Sequence, residues 1–248
     1  EAGSVRWSGE FAHPGVYEIR RGEKLSELIG RAGGITHHAY PLGAVFLRDR
    51  IKEEKKQYYE KAAFELQNGL VMAMTRMRAG ASSGDAGAAP MVANLVSQIR
   101  SIDPVGRMVI EADPTVLQVR PEMDVLVEPG DTIHLPRRPS TILVMGEVQN
   151  PGAVQFQSGK KASEYIAAVG GMTQMANEDR VFAILPNGSA EPLKLSSWNF
   201  QPTLLPPGST IYVSRDNLPT TSVDVLQISL QVIKDLALAA ASLSVISK

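Results

Sequence analysis

An internal repeat constrains this chain more than any other feature of its sequence. Gly9-Glu10, Pro14-Gly15, Gly22, Lys24, Ser26-Glu27, Ile29, Gly33-Gly34, Thr36 and Ala39 recur as Gly146-Glu147, Pro151-Gly152, Gly159, Lys161, Ser163-Glu164, Ile166, Gly170-Gly171, Thr173 and Ala176, every pair at one offset without a gap. Pro129-Gly130-Asp131-Thr132-Ile133 matches Pro207-Gly208-Ser209-Thr210-Ile211 at a smaller offset, so the first copy holds an insertion. The chain must fold as two copies of one small unit.

Each copy carries a readable plan. Ile142-Leu143-Val144-Met145 is a short apolar run, Pro151-Gly152 punctuates a turn, and Ala153-Val154-Gln155-Phe156 reads as a returning strand. Ala162, Tyr165, Ile166 and Val169 then fall at helical spacing, and Gly170-Gly171 supplies residues that tolerate the left-handed conformation ending a helix. Val181 to Leu185, the Asn187-Gly188 turn and Glu191 to Leu195 predict a second hairpin, closed by a strand at Thr210-Ile211-Tyr212-Val213. Strand, strand, helix and several strands make an α+β plan.

The insertion, residues 51–107, has a different texture. Tyr58, Ala62, Leu66 and Met74 stand at roughly helical spacing, Gly80 to Gly87 reads as a flexible, protease-accessible linker, and a second helix is expected from about Pro90 to Ile102. This is a helical hairpin planted in a loop of the first unit. Met72, Met74 and Met77 fit either packing within that hairpin or an adaptable contact surface.

From Val223 to Ile246 the sequence is mostly apolar, yet Asp224, Gln227, Gln231, Lys234, Asp235, Leu238 and Ser242 fall within about 100° of arc at the helical period. Val225, Leu226, Leu230, Val232, Ile233, Leu236, Leu243 and Ile246 occupy the remaining circumference. About 20 residues at 1.5 Å rise span roughly the 30 Å hydrocarbon core, and charges inside it must face water or pair within a bundle. A membrane segment in a ring of helices and a helix docked on protein both satisfy this pattern. Ala237, Ala239, Ala240 and Ala241 permit close packing in either setting.

Composition narrows the function. Lysine plus arginine number 25 against 26 acids, a formal charge of -1, which offers no overall field for gathering nucleic acid. With no cysteine there is no disulfide, thiolate or cysteine-ligated metal, and the redox compartment stays open. The opening Glu1 to Trp7 has neither a basic start nor an apolar run, and reads as a processed or trimmed start.

Catalytic signals are likewise missing. His13, His37, His38 and His134 lack metal-ligand spacing, and no nucleophile elbow, phosphate loop or dinucleotide fingerprint occurs. Glu10 and Glu147 suggest the paired carboxylates of a glycosidase, but their place inside duplicated turn motifs favours a scaffold role. No catalytic, cofactor or metal residue is expected. Among the aromatics Trp7, Tyr17, Trp198 and Tyr212, the strand-like context of Tyr17 and Tyr212 favours core placement. Trp198, in the polar run Ser196-Ser197-Trp198-Asn199, is the candidate carbohydrate contact.

The succession of strand, Gly-Glu, Pro-Gly turn, helix and Gly-Gly, closed by Pro-Gly-Asp/Ser-Thr-Ile, resembles the soluble-ligand-binding β-grasp (SLBB) domain over residues 5–46, 105–137 and 140–215. Two copies followed by a striped helix resemble the C-terminal part of Wza-type outer-membrane polysaccharide export proteins. The resemblance implies tandem β-grasp (ubiquitin-like) modules, the first with a helical-hairpin insertion, plus a C-terminal amphipathic helix, divided as 1–139, 140–216 and 217–248. It also implies a non-enzymatic part in capsule or exopolysaccharide export, in the periplasm and outer membrane of a Gram-negative bacterium.

The implied partners are polysaccharide, further copies of the chain as a homo-oligomeric scaffold, the outer membrane through the last helix, and an inner-membrane polysaccharide co-polymerase. Under this reading Gln227, Gln231, Lys234, Asp235 and Ser242 line a pore or helix interface. Val225, Leu226, Leu230, Ile233 and Leu236 face lipid or packing partners. The family's N-terminal export domain and lipid-bearing cysteine are not among these residues, which reads as the tail of a longer chain or a different relative. The inserted hairpin is more similar to periplasmic capsule-assembly proteins that are not pores, and that is the alternative. A third class of β-grasp proteins, linked to cobalamin or quinone, finds no cofactor residues here.

Overall fold

The computed structural model describes residues 3–78, 88–195 and 204–216. In chain order the first half contains β1 (Ser4–Gly9), β2 (Gly15–Glu18), α1 (Leu25–Arg31), β3 (Val45–Leu47), α2 (Asp49–Arg78), α3 (Ala88–Ser101), β4 (Arg107–Met108), α4 (Pro114–Val119) and β5 (Thr132–Leu135). The second contains β6 (Thr141–Gly146), β7 (Gly152–Gln155), α5 (Ala162–Ala168), β8 (Ala176–Ile184), β9 (Ala190–Leu193) and β10 (Thr210–Arg215).

These strands form two five-stranded mixed sheets, ordered β2-β1-β5-β3-β4 and β7-β6-β10-β8-β9. The orders are the same once equivalent strands are matched. In each sheet the first strand runs parallel to the last, β1 to β5 and β6 to β10, and every other pairing is antiparallel. Register agrees as well, because Phe46 pairs with Ile133 where Ala183 pairs with Ile211. The sequence repeat is therefore a repeat of topology.

Period-two burial explains which residues form the cores. On β1 and β6, Val5 and Trp7 face inward where Ile142 and Val144 do, and on β5 and β10, Ile133 and Leu135 match Ile211 and Val213. Each sheet is covered by one short helix, α1 through Leu25, Leu28 and Ile29, and α5 through Ala162, Tyr165 and Ile166. Both helices start alike. Glu27 and Glu164 accept hydrogen bonds from the backbone N–H groups of Lys24 (3.1 Å) and Lys161 (2.7 Å), satisfying a donor at each N-terminus. They end alike too, Gly34 N–H donating to the Ile29 carbonyl (2.9 Å) and Gly171 N–H to the Ile166 carbonyl (3.0 Å), with Gly33, Gly34, Gly170 and Gly171 all at positive φ.

The repeat also locates the insertion. Equivalent residues are 137 apart at Phe46 and Ala183, 83 apart at Met108 and Glu191, and 78 apart at Ile133 and Ile211, so 54 extra residues enter between β3 and β4. The second module closes the equivalent β8 to β9 connection with the tight Asn187-Gly188 turn, Gly188 lying at φ 91. In the first module α2 and α3 fill that position. Their shared core is Tyr59, Ala63, Val96 and Ile99, with Leu66 and Ile102 against it.

The inward register of α2 differs from the sequence expectation. Tyr59 is 4% exposed whereas Tyr58 is 55% exposed and Met72 also faces out; Tyr59 with Ala62, Ala63 and Leu66 makes a tighter i, i+3, i+4, i+7 stripe than one begun at Tyr58. Met74, Met77 and the Gly80 to Gly87 linker lie outside what the structure describes of side chains or backbone.

At the root of the insertion Arg48 is buried. Its guanidinium forks onto Asp131 (Nε to Oδ1 2.9 Å, Nη2 to Oδ2 2.8 Å) and reaches Glu128 and the Leu126 carbonyl, both at 2.8 Å. α4 and the N-terminal part of β8 escaped the sequence reading. α4, capped by Asp113 accepting from Thr115 N–H, is too short to show a period, and β8 begins at Ala176 because Ala176 pairs with Arg215, although Asn177 to Arg180 is polar.

Candidate functional site

Two equivalent braces stand beside the C-terminal ends of the paired parallel strands. After β1 and β6 the backbone turns at Gly9 and Gly146, at φ 85 and 87, so that Glu10 N–H and Glu147 N–H donate to the Leu135 (2.8 Å) and Val213 (2.9 Å) carbonyls. A Cβ on either glycine would collide with those carbonyl oxygens, which is why this residue type recurs. The loop then meets the end of the helix: His13 N–H donates to the Ala32 carbonyl (3.1 Å) where Asn150 N–H donates to Val169 (3.0 Å).

The duplicated glutamates tie these segments together. Glu10 accepts from the Thr36 hydroxyl and from Arg137 Nε, both at 2.5 Å, while Glu147 accepts from the Thr173 hydroxyl (2.8 Å) and pairs with Arg215 Nε at 3.1 Å. The Thr36 hydroxyl, and after it Arg137, hold the Glu10 carboxyl below the ordinary carboxylate range. A glycosidase acid needs its carboxyl raised so that it keeps a proton at neutral pH, and Glu10 is moved the other way. Its commitments are those of a scaffold.

Arg137 and Arg215 were missed by sequence reading, although both continue the smaller offset two residues beyond the last parallel pairs, at Leu135 and Val213. Around the first brace gather His37 and His38, with ring centroids 3.8 Å apart, and Arg138, whose guanidinium lies 6.0 Å from the centroid of the Tyr40 ring. All three cationic or imidazole side chains are exposed. Tyr40 is buried, and its hydroxyl donates to the Pro207 carbonyl of the second module at 3.0 Å. Burial raises the Tyr40 phenol above its usual range, with Arg138 opposing.

A second contact between modules is made by Arg107, whose Nη2 donates to the Pro186 carbonyl at 2.7 Å. This guanidinium is buried, its Nε has no hydrogen-bond partner among the described residues, and burial depresses it to about 10.

The other sequence candidates are distributed as follows. Trp7 is 2% exposed and packs on Phe11 (4.3 Å between centroids) and Tyr17 (6.0 Å), so it has no face for a sugar. Trp198 lies outside the described residues, as do Gln227, Gln231, Lys234, Asp235 and Ser242 and the apolar set Val225, Leu226, Leu230, Ile233 and Leu236. Among the described residues no helix is long and apolar enough to cross a membrane, and no cluster of metal-ligating side chains occurs.

Comparison with known proteins yields two family matches and several relatives. Residues 5–56 match the SLBB domain, and residues 150–236 match the family described as capsule biosynthesis GfcC C-terminal. Two forms of the polysialic acid transport protein KpsD of Escherichia coli are 33% and 32% identical over 103 and 102 residues, covering 41% of this chain and 17% of each relative. The uncharacterized protein YjbG of Escherichia coli (strain K12) is 27% identical over 154 residues, 61% of this chain and 60% of its own length. The chain thus spans less than two thirds of each of these relatives. Motif, topology and these matches agree, the first half matching an SLBB domain and the second a capsule biosynthesis GfcC C-terminal domain.

Proposed function

We propose that this protein is a non-catalytic component of capsule or exopolysaccharide export, built from tandem β-grasp modules over 1–139 and 140–216 and acting in the periplasm of a Gram-negative bacterium. One observation carries the reading: two copies of a single topology are met by two different family models, one of them named for capsule biosynthesis. The KpsD relatives are named for transport of a polysaccharide, which adds the cargo. The braces supply rigidity and not chemistry.

Within this reading the accessory form, a periplasmic capsule-assembly protein that is not itself a pore, is supported best. The capsule biosynthesis match runs on to residue 236, into the striped segment, and the first module carries the hairpin insertion that pointed to such proteins. The export-pore form rests on the stripe itself, with Gln227, Gln231 and Lys234 facing a lumen, sister copies closing a ring, and an inner-membrane co-polymerase as a further partner.

Deletion of the gene in the source bacterium is expected to remove surface polysaccharide while polymer accumulates inside the cell envelope. Unchanged surface polysaccharide would overturn the assignment. Because the chain has no cysteine, a single Gln231→Cys variant separates the two forms. Labelling of Gln231→Cys from outside the cell, on detergent-stable rings, supports the pore; protection from the label in a monomer supports the accessory protein.

A further inference from the structure

We propose that the exposed His37, His38 and Arg138 cluster beside the first brace binds the acidic groups of an anionic polysaccharide. This deepens the polysaccharide reading above and rests on it. The duplication provides an internal control. Positions that the scaffold needs are retained, Glu10 as Glu147, Thr36 as Thr173 and Arg137 as Arg215, and make the same bonds in both modules.

The neighbouring positions diverge. His13, His37, His38 and Arg138 are matched in the second module by Asn150, Gln174, Met175 and Asp216. The backbone does not require this change, because Arg138 N–H donates to the His38 carbonyl (3.3 Å) just as Asp216 N–H donates to Met175 (2.9 Å). His38 N–H and Met175 N–H likewise both reach their threonine hydroxyl at 3.3 Å. The His13 ring is engaged with the Ala32 carbonyl at 3.2 Å, but a fold that is built equally well with Gln174, Met175 and Asp216 gives no structural reason for two exposed imidazoles and an extra arginine.

Charge follows the divergence. With imidazoles counted as neutral, Glu10, Arg137 and Arg138 leave one net positive charge, where Glu147, Arg215 and Asp216 leave one net negative charge. Asp216 is occupied by Asn177 at 2.8 Å, whereas Arg138 has no carboxylate partner among the described residues and lies over the Tyr40 ring. A planar guanidinium with free donors accepts a carboxylate or a sulfate side-on, and two adjacent imidazoles add further donors. His37, His38, Arg137 and Arg138 are all on open surface. Such a surface suits a repeating polymer, whose weak contacts add along its length, and the overall charge of -1 disfavours an indiscriminate polyanion trap.

The test titrates the 248-residue protein with polygalacturonate, with neutral dextran and with phosphatidylglycerol vesicles. The comparison variant carries His37→Gln, His38→Met and Arg138→Asp, the residues of the second module. Polygalacturonate is expected to bind the unaltered protein, to be displaced by salt, and to bind the variant about tenfold more weakly, as loss of a charge-assisted contact requires. Equal binding by protein and variant would overturn the proposal, as would binding of vesicles in place of polymer, which would make the cluster a membrane contact. Dextran bound equally by both would overturn the acidic class while leaving the polysaccharide reading intact. Failure of every polymer would remove both. Should the triple variant melt early, Arg138→Gln alone carries the same comparison.

Discussion

Arg48 offers the most demanding check on how the insertion is rooted, because the second module solves the same structural problem without charge. Arg48 and Asp131 correspond to Leu185 and Ser209. The Arg48 side chain is 8% exposed and the Asp131 side chain 0%, so the pair sits beyond the reach of solvent screening. Arg48→Leu removes two bonds to Asp131, one to Glu128 and one to the Leu126 carbonyl, leaving the Asp131 carboxylate with the Glu128 N–H at 2.8 Å. An abandoned buried carboxylate costs about 3–5 kcal/mol. With a urea slope of about 2 kcal/mol/M the midpoint should fall by roughly 1.5–2.5 M.

The double variant Arg48→Leu with Asp131→Ser installs the second module's own residues. It should recover all but about 1–2 kcal/mol, since neither charge is then stranded. Fluorescence of the buried Trp7 in a Trp198→Phe background reports the first module selectively. Strict additivity of the two single changes would refute the reasoning, because it would mean that Arg48 and Asp131 do not depend on each other.

Three further outcomes are expected. Gly146→Ala should lower stability by about 2 kcal/mol or more in thermal melts, since φ 87 and the Val213 carbonyl both oppose a Cβ; an unshifted melting temperature would remove the explanation for the repeated glycine. Burial alone would raise the Glu23 carboxyl, but the Arg20 N–H and then Arg31 outweigh it and hold it below the ordinary 4.5. Its stabilisation is thus present above pH 4.5 and lost as pH falls through the lower folded value, so urea midpoints should drop on acidification and Glu23→Gln should flatten that drop. Arg107→Met should leave stability unchanged or raise it by about 1 kcal/mol at neutral pH, because a buried cation without a counter-charge is being replaced by an apolar side chain; a loss above about 2 kcal/mol would show that the bond to Pro186 dominates.

Much of the architecture was legible because turn chemistry is local. Gly-Glu, Pro-Gly and Gly-Gly each impose a backbone conformation on the residues that carry them, so their recurrence announced two equivalent units and the place where one is interrupted. The inward face of α2 was misread because Tyr58 and Tyr59 are adjacent and equally apolar, and only packing against Val96 and Ile99 chooses between them. Glu10 and Glu147 stood out as duplicated turn residues, but their arginine partners were not found, since more than sixty residues separate each pair along the chain and only strand register brings them together.

What the sequence determined alone is the duplication, the site of the insertion and the residues that must turn the chain, all of them short-range demands of φ, ψ and apolar period. Only the tertiary structure decided that Arg48 is neutralised by Asp131, that Tyr40 and Arg107 reach across to the second module, and that His37, His38 and Arg138 share one exposed edge. Those are meetings between residues distant along the chain. They depend on how parallel β1 and β5 set the register of everything attached to them, which no local pattern encodes.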